Sequence, residues 1–177
     1  STFKNERYFE TIDTERKAYF LGLIFADGSL NEKLKTLQLT LADIDKEVLD
    51  IFNKEIYKNR ELRVISPREP QHQYQNQATV TSSLFYSDLK IYNLCQNKSE
   101  IGGWVSERFI PKELFHHFIR GYFDGDGCIY HNLSTGDKVV TFTGNTVFIE
   151  NLRRFLVIEL SLRKGNLSKR YKNGYSI

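Results

Sequence analysis

Two stretches of this sequence match each other: FLGLIFADG at residues 20–28 and IRGYFDGDG at residues 119–127. Each stretch ends an apolar, helix-like run, and each places an aspartate, Asp27 or Asp126, directly before a glycine. The two aspartates are 99 residues apart, which is far longer than the period of a solenoid repeat. The two stretches therefore indicate a duplicated domain.

Around the first stretch, the sequence pattern predicts a helix, a hairpin, a helix, a second hairpin and a third helix. Thr14 is a favourable N-cap for the first helix. The leucines of residues 37–41 alternate with polar residues, as in a half-buried strand. Asp43 stands at the N-cap position of the second helix, and the third helix is predicted over residues 84–94.

Around the second stretch, the same order of elements begins again. Pro111 suits the first position of a helix, Asn145 suits an N-cap, and a final hairpin is predicted to turn at residues 173–174. No counterpart of the third helix follows that hairpin, so we expect the second copy to be short at its C-terminus. The predicted domains are a first repeat at 12–96, a linker at 97–110 and a second repeat at 111–177.

Small residues lie four apart on both motif helices: Gly22 and Ala26 on the first, Gly121 and Gly125 on the second. Residues at this spacing share one face of a helix. Such a stripe lets two helix backbones approach closely, so we expect the two motif helices to pack against each other there. The aspartates that end the two motifs would then emerge side by side.

Two adjacent aspartates at helix C-termini are unfavourable, because each lies at the negative end of a helix dipole and the two carboxylates repel. A cation between them would offset this, and hard carboxylate oxygens suit Mg²⁺. Metal-assisted hydrolysis of a phosphodiester is the chemistry such a site supports. The simpler interpretation is a pair of helix ends followed by turns, but the matched acids and matched small residues favour the site.

Both stretches resemble the signature helix of the LAGLIDADG homing endonucleases, and the two-copy layout is similar to that of the single-chain members. The resemblance covers nearly the whole chain. It implies an α+β fold of two tandem, pseudo-symmetric αββαββα repeats whose saddle-shaped antiparallel sheets bind DNA. It also implies that Asp27 and Asp126 are catalytic metal ligands, with the carbonyls of Ala26 and Gly125 as further ligands for Mg²⁺ or another divalent ion such as Mn²⁺.

The activity implied by the resemblance is site-specific cleavage of both strands of a long, asymmetric DNA target by a monomer, in intron homing. Two departures are that Phe25 stands where the second motif has Asp124, and that residues 41–42 are Leu and Ala where the family often has Gln or Lys. The alternative is a weakened or inactive DNA-binding protein of this fold, or an RNA-splicing maturase that binds intron RNA. Retention of both Asp27 and Asp126 favours the endonuclease.

Polar and basic residues on the predicted strands and loops are candidates for DNA contact. Glutamine can pair with adenine and arginine with guanine in the major groove, and β-ribbons can present such side chains there. The alternative is a solvated loop at residues 71–77 and a frayed basic C-terminus. The expected contacts are Lys33, Lys35, Gln38, Thr40, Arg63, Arg68, Gln73, Gln75, Gln77, Tyr130, Asn132, Lys138, Thr141, Lys169, Arg170 and Lys172.

The composition excludes several other classes of protein. No apolar run approaches the length of about 20 residues that spans a bilayer, and the N-terminus lacks the apolar core of a signal peptide. Two cysteines are too few for a disulfide framework, which is typical of an intracellular, cytoplasmic protein, with an organelle as the alternative. The net charge is only +3, but the segment from residue 161 onward contains five basic residues and no acid, which favours a polyanionic partner.

Two other interpretations of FDGDG fail, one on the element that precedes the motif and one on spacing. The haloacid-dehalogenase-like phosphatases have a similar FDxDG, but there it follows a buried parallel strand, whereas here a helical pattern that starts at Pro111 precedes it. An EF-hand requires Glu at the twelfth position counted from Asp124, and that position is Thr135.

Overall fold

The computed structural model describes residues 2–69, 71–97, 103–161, 168–169 and 174–176, and in it helices and strands recur in one order. The helices are α1 (Glu15–Asp27), α2 (Lys46–Ile56), α3 (Ser83–Ile91), α4 (Phe115–Asp126) and α5 (Thr146–Leu160). The strands are β1 (Gly28–Asn31), β2 (Thr36–Ala42), β3 (Arg63–Ile65), β4 (Gln75–Thr81), β5 (Gly127–Asn132), β6 (Asp137–Asn145), β7 (Ser168–Lys169) and β8 (Gly174–Ser176). Single 3-10 turns occur at Asp43–Asp45, Glu107–Phe109 and Lys112–Leu114.

Each half of the chain builds one four-stranded antiparallel sheet with the same strand order. The first sheet has the order β1-β2-β4-β3 and the second has the order β5-β6-β8-β7. Helix α2 or α5 connects the two hairpins of each sheet, and the first half continues into α3. The predicted α+β fold of two tandem, pseudo-symmetric repeats is confirmed.

The C-terminal hairpin forms as predicted, and it completes the second sheet. Its strands are short, with Ser168 paired to Ser176 and Lys169 paired to Tyr175. The predicted turn at residues 173–174 lies between the paired Lys169 and Tyr175, and Gly174 also pairs with Asn145 of β6. Residue 173 lies outside the described residues.

Two of the predicted N-caps form as expected. The side-chain oxygen of Thr14 accepts a hydrogen bond from the backbone N–H of Lys17 at 3.2 Å. The side-chain oxygen of Asn145 accepts one from the backbone N–H of Phe148 at 3.0 Å. Each cap satisfies one of the N–H groups that a helix leaves without an internal partner, which fixes the starts of α1 and α5.

The predicted starts of the other two helices are wrong by a few residues. Asp43 begins a 3-10 turn instead of capping α2, and its carboxylate accepts a hydrogen bond from Asn76 at 2.7 Å. Pro111 likewise precedes a 3-10 turn, and α4 begins at Phe115. In the first case, a partner 33 residues away in sequence outweighs the local capping preference.

Aromatic rings fill much of the core and also hold the linker against the second half. Trp104, in the predicted linker, packs against three rings of the second half, with centroid distances of 5.6 Å to Phe115, 6.1 Å to Phe118 and 5.1 Å to Phe148. Ring pairs at these distances contribute beyond the area they bury. The linker is therefore anchored to the core at Trp104.

The N-terminal segment packs against the first repeat, although the predicted repeat begins only at residue 12. Phe9 is fully buried and meets Phe85 edge-on at 5.4 Å. The hydroxyl of Tyr92 donates to the carbonyl oxygen of Phe9 at 2.9 Å. These contacts tie the segment to α3 and to the turn that follows it.

The apolar faces of the two sheets differ in exposure. In the first sheet Leu30 and Leu37 are 6% and 1% exposed, whereas the corresponding Ile129 and Val140 of the second sheet are 64% and 52% exposed. Helix α3 contacts β2 and β4 of the first sheet, and the described residues of the second half contain no helix in that place. The second sheet is consequently the less covered of the two.

In the part of the chain that the structure describes, every helix is too short or too polar to cross a membrane.

Candidate functional site

Helices α1 and α4 pack backbone to backbone through the glycines at the centres of the two motifs. A Cβ atom built on Gly22 would lie 2.0 Å from the carbonyl oxygen of Phe118. A Cβ atom built on Gly121 would lie 1.9 Å from the carbonyl oxygen of Tyr19. Both distances are far shorter than van der Waals contact, so only glycine fits at these two positions.

These glycine contacts are reciprocal, since Tyr19 and Phe118 are equivalent positions of the two repeats. The structure also brings together the other two small residues of the predicted interface. A Cβ atom on Gly125 would lie 2.4 Å from the Cβ of Ala26 and 2.6 Å from the Oδ2 of Asp27. The C-terminal ends of α1 and α4 are therefore adjacent, as the motif spacing predicts.

The two motif acids are the last residues of these adjacent helices. Asp27 ends α1 and is exposed, and Asp126 ends α4 and is partly exposed. Burial, together with the carboxylates of Asp126 and Asp27, raises the pKa of the Tyr122 phenol. Both acids lie at the base of the interface, because they end the two helices that pack against each other.

A glycine after each acid lets the chain turn from helix into strand without a break. Gly28 and Gly127 have extended backbone with negative φ, so the left-handed region does not explain the glycine at either position. A Cβ atom on Gly28 would lie 2.6 Å from the carbonyl oxygen of Ile24, and one on Gly127 would lie 2.5 Å from that of Phe123. Close approach of the turning chain to the helix end therefore requires glycine after each aspartate.

The two motifs differ at the position before the small residue and the acid. Phe25 is buried and its ring meets that of Phe118 at 5.3 Å. Its counterpart Asp124 is exposed and accepts a hydrogen bond from the hydroxyl of Tyr19 at 2.9 Å. These two contacts are at equivalent positions of the two repeats. The contact between Phe25 and Phe118 is apolar, and the equivalent contact between Tyr19 and Asp124 is polar. Burial and the hydrogen bond to Asp124 raise the pKa of Tyr19.

Tyr122 is a site residue that the sequence analysis missed. It is 3% exposed, stacks on Phe148 at 4.0 Å and donates a hydrogen bond to the carbonyl oxygen of Thr143 at 2.7 Å. A Cβ atom on Gly144 would lie 2.4 Å from its hydroxyl oxygen, so glycine there makes room for the phenol. The available signal was a tyrosine in an apolar motif, where the first copy has Leu23.

The donor set at the helix ends fits a divalent cation of the Mg²⁺ type. Among the described residues, no group of three His, Cys, Asp or Glu side chains could hold a metal ion by itself. Mg²⁺ is commonly held by one or two carboxylates together with substrate phosphates and water. The carboxylates of Asp27 and Asp126, at the ends of two adjacent helices, match that requirement better than the requirements of softer metals.

The first sheet has a polar face opposite its buried face. Leu37, Leu39 and the alternate residues of β4 are buried, so their neighbours point the other way. Of the predicted DNA contacts, five lie on this polar face: Gln38, Thr40, Arg63, Gln75 and Gln77. The amide of Gln77 donates to the Oγ1 of Thr40 at 3.0 Å.

The other predicted contacts of the first half lie in loops. Lys33 is exposed in the turn between β1 and β2, and Arg68 and Gln73 are exposed between β3 and β4. The ammonium group of Lys35 lies 4.9 Å from the ring centroid of Tyr86 on α3. A DNA contact by Lys35 would require its side chain to leave that ring.

The second sheet brings fewer of the predicted residues to one face. Tyr130 and Thr141 share a face by register and alternation. Lys138 lies on the other face, in line with the buried Phe142. The Oδ1 of Asn132 accepts two hydrogen bonds within its own turn, at 3.1 Å and 2.6 Å.

Of the basic C-terminal residues, Lys169 belongs to β7, and Arg170 and Lys172 lie outside the described residues.

Comparison with known proteins supports the fold. No model of a known protein family matches the sequence. An uncharacterised protein of Methanocaldococcus jannaschii is 26% identical over 97% of this chain, and the chain spans 65% of that protein's length.

Solved structures of the same fold cover nearly the whole chain. I-WcaI, a homing endonuclease bound to its DNA recognition sequence, matches 94% of this chain and 76% of its own, with a TM-score of 0.59 and 12% identity. The N-terminal LAGLIDADG domain of DUF199/WhiA matches 97% and 79%, with a TM-score of 0.57 and 16% identity. I-DmoI, in complex with its target DNA and manganese, matches 98% and 87%, with a TM-score of 0.55 and 14% identity. This chain has the LAGLIDADG fold, as its two motifs predict.

Proposed function

We propose that this protein is a divalent-metal-dependent endonuclease that cleaves both strands of a DNA target, with Asp27 and Asp126 as its catalytic residues. The observation that carries this proposal is the meeting of the two helix ends, where the Oδ2 of Asp27 occupies the space beside Gly125. Two carboxylates at adjacent helix C-termini are unfavourable without a cation. A protein that only bound DNA would have no need of them.

The chemistry proposed for this site is hydrolysis of a phosphodiester. A bound Mg²⁺ or Mn²⁺ would lower the pKa of a water molecule and stabilise the leaving oxygen. Asp27 and Asp126 would hold the cation, and the carbonyls of Ala26 and Gly125 are the further candidate ligands. The glycine contacts between α1 and α4 fix the separation of the two helix ends that carry the acids, because these contacts are made by backbone atoms.

Double-stranded DNA is the proposed substrate. The polar face of the first sheet offers amide, hydroxyl and guanidinium groups, which are the groups that bind base edges in a groove. The two repeats have the same strand order but different side chains, so the DNA target is expected to be long and asymmetric. One chain supplies both halves of the site, which supports a monomer. We propose an intracellular location and intron homing as the setting.

A second candidate is a protein of this fold that binds DNA or intron RNA without cutting it. The LAGLIDADG domain of DUF199/WhiA resembles this chain about as closely as the endonucleases do. Leu41 and Ala42 also supply no ionisable group at the end of β2. These two observations favour binding alone, whereas the paired acids favour cleavage.

The test is a cleavage selection. The protein is incubated with a large pool of randomised duplex DNA, in Mg²⁺ and separately in EDTA, and the newly made ends are sequenced. Ends that appear only with Mg²⁺ and share one long asymmetric motif support the endonuclease. Retention of particular duplexes without new ends supports the second candidate. Either result identifies DNA as a partner.

A further inference from the structure

The polar face of the first sheet is rich in amides and poor in charge. Three glutamines, Gln38, Gln75 and Gln77, point from it, and Arg63 is the charged residue that the described strand pairings place beside them. Lysine and arginine supply the charge that neutralises phosphates, so a face with few of them gains little affinity from the phosphate backbone. A face of neutral donors and acceptors instead matches the chemistry of base edges.

The strand register puts the glutamines into successive rows. Gln38 pairs with Thr79, and the next row joins Thr40, Gln77 and Arg63 across three strands. The row after that joins Ala42, Gln75 and Ile65. Each row therefore has one glutamine, and the middle row also carries Arg63.

Local hydrogen bonds hold the central glutamine in place. The Nε2 of Gln77 donates to Thr40 at 3.0 Å, and its Oε1 accepts from the hydroxyl of Thr79 at 3.5 Å. The amide plane is thus oriented before any ligand arrives, while one N–H and one oxygen lone pair stay available. Such a fixed amide can offer a donor and an acceptor to one base with little loss of entropy.

We propose, building on the DNA-binding function above, that this face reads adenines in the major groove of one half of the target. Adenine presents there an acceptor at N7 and a donor at its amino group, and a glutamine amide matches both at once. Guanine presents two acceptors and matches arginine instead, which leaves Arg63 as the candidate guanine contact on this face.

The geometry also predicts the spacing of these adenines. Gln75 and Gln77 are two residues apart on β4, which corresponds to roughly 6.8 Å. Gln38 and Gln77 are diagonal neighbours on paired strands, at roughly 7–8 Å. Successive bases rise by about 3.4 Å, so the glutamines reach bases about two steps apart.

The second sheet offers less of this chemistry in its described strands. The equivalent face of β5 and β6 carries Cys128 opposite Thr141 and Tyr130 opposite Val139. Asn132 and Asn145 are the amides that alternation places on that face; the oxygen of Asn132 is engaged in its own turn, and that of Asn145 caps α5. The half of the target that contacts the second sheet is therefore expected to tolerate more base changes.

The test is a binding selection that does not depend on cutting. Native protein in EDTA is mixed with randomised duplex DNA, and the retained duplexes are sequenced. We expect adenines about two base steps apart in one half of the site, each preferred about 10-fold over the other bases. Retained duplexes without that adenine pattern would overturn this inference alone, whereas failure to retain any duplex would overturn the proposed DNA-binding function.

A matched pair of variants assigns the preference to residues. Gln77→Arg on the sheet face should change one selected adenine to guanine, because arginine matches guanine N7 and O6. Gln71→Arg, in the exposed loop between β3 and β4, introduces the same charge and should leave the selected bases unchanged. Identical shifts in both variants, or none in Gln77→Arg, would contradict the assignment.

Discussion

At the scale of single residues, the two aspartates carry the proposed chemistry. Asp27→Asn and Asp126→Asn each remove one charge from the helix ends and keep the side-chain shape. We expect either change to reduce cleavage at least about 100-fold, because the cation loses one of its ligands. DNA affinity should stay within a few-fold, which a gel-shift titration on the selected target would measure.

The control for both variants is Glu47→Gln, a change of the same kind at an exposed position on α2. It should leave both cleavage and binding unchanged. If Asp27→Asn weakened binding as strongly as cleavage, its role would be structural and not catalytic.

Tyr122 gives a second prediction at this scale. Tyr122→Phe keeps the stack on Phe148 but removes the hydroxyl that donates to the Thr143 carbonyl. Losing that hydrogen bond should lower the free energy of unfolding by about 1 kcal/mol. Urea denaturation measures this, with Tyr130→Phe at an exposed position as the control, which should change stability by less than about 0.5 kcal/mol.

At the scale of helices and strands, the contact between α1 and α4 decides whether replacing Gly22 stabilises or destabilises the protein. Helix propensity alone predicts that Gly22→Ala would stabilise α1 by about 1 kcal/mol. Packing predicts the opposite, because the new Cβ would lie 2.0 Å from a backbone oxygen of α4. We expect a net loss of about 1–3 kcal/mol in thermal or urea denaturation, together with loss of cleavage as the acids move apart.

Gly103→Ala is the matched control for that prediction. A Cβ atom there would meet its nearest neighbour, in Asn93, at 3.5 Å, which is an ordinary contact. Its stability should change by less than about 0.5 kcal/mol. A stabilised Gly22→Ala variant would mean that the two helices pack less closely than described.

Sequence patterns predicted most of the elements because the information is local. The alternation of β2, the caps at Thr14 and Asn145 and the duplicated Asp-Gly ends could all be predicted from neighbouring residues. The role of Asp43 could not, because its partner Asn76 lies on another strand. The position of Lys35 over Tyr86 likewise depends on how α3 packs against the first sheet.

The candidate site was predictable in part for the same reason. The matched small residues and acids of the two motifs predicted that α1 and α4 pack closely and that each ends in an aspartate. The contribution of Tyr122 was not predictable, since its acceptor at Thr143 belongs to a strand 21 residues further along the chain. Only the folded second sheet brings the two together.

At the scale of the whole molecule, electrostatics should dominate DNA affinity even though the net charge is only +3. Each phosphate neutralised by Lys or Arg releases counterions, so the association constant falls as salt rises. We expect affinity to drop at least about tenfold between 50 and 200 mM salt, measured by fluorescence anisotropy with the selected duplex. A flat salt response would argue against a nucleic-acid partner.

The backbone contact at Gly22 and Gly121 should let the sheet faces change in evolution without moving the helix ends. Main-chain atoms set how closely α1 and α4 approach, so substitutions on the sheet faces should leave the proposed cleavage centre where it is. A lineage of such proteins could exchange glutamines for arginines, row by row, and acquire new targets while the chemistry stays constant. Because two glycines admit no side chain, the DNA target could change during evolution while the proposed reaction stays the same.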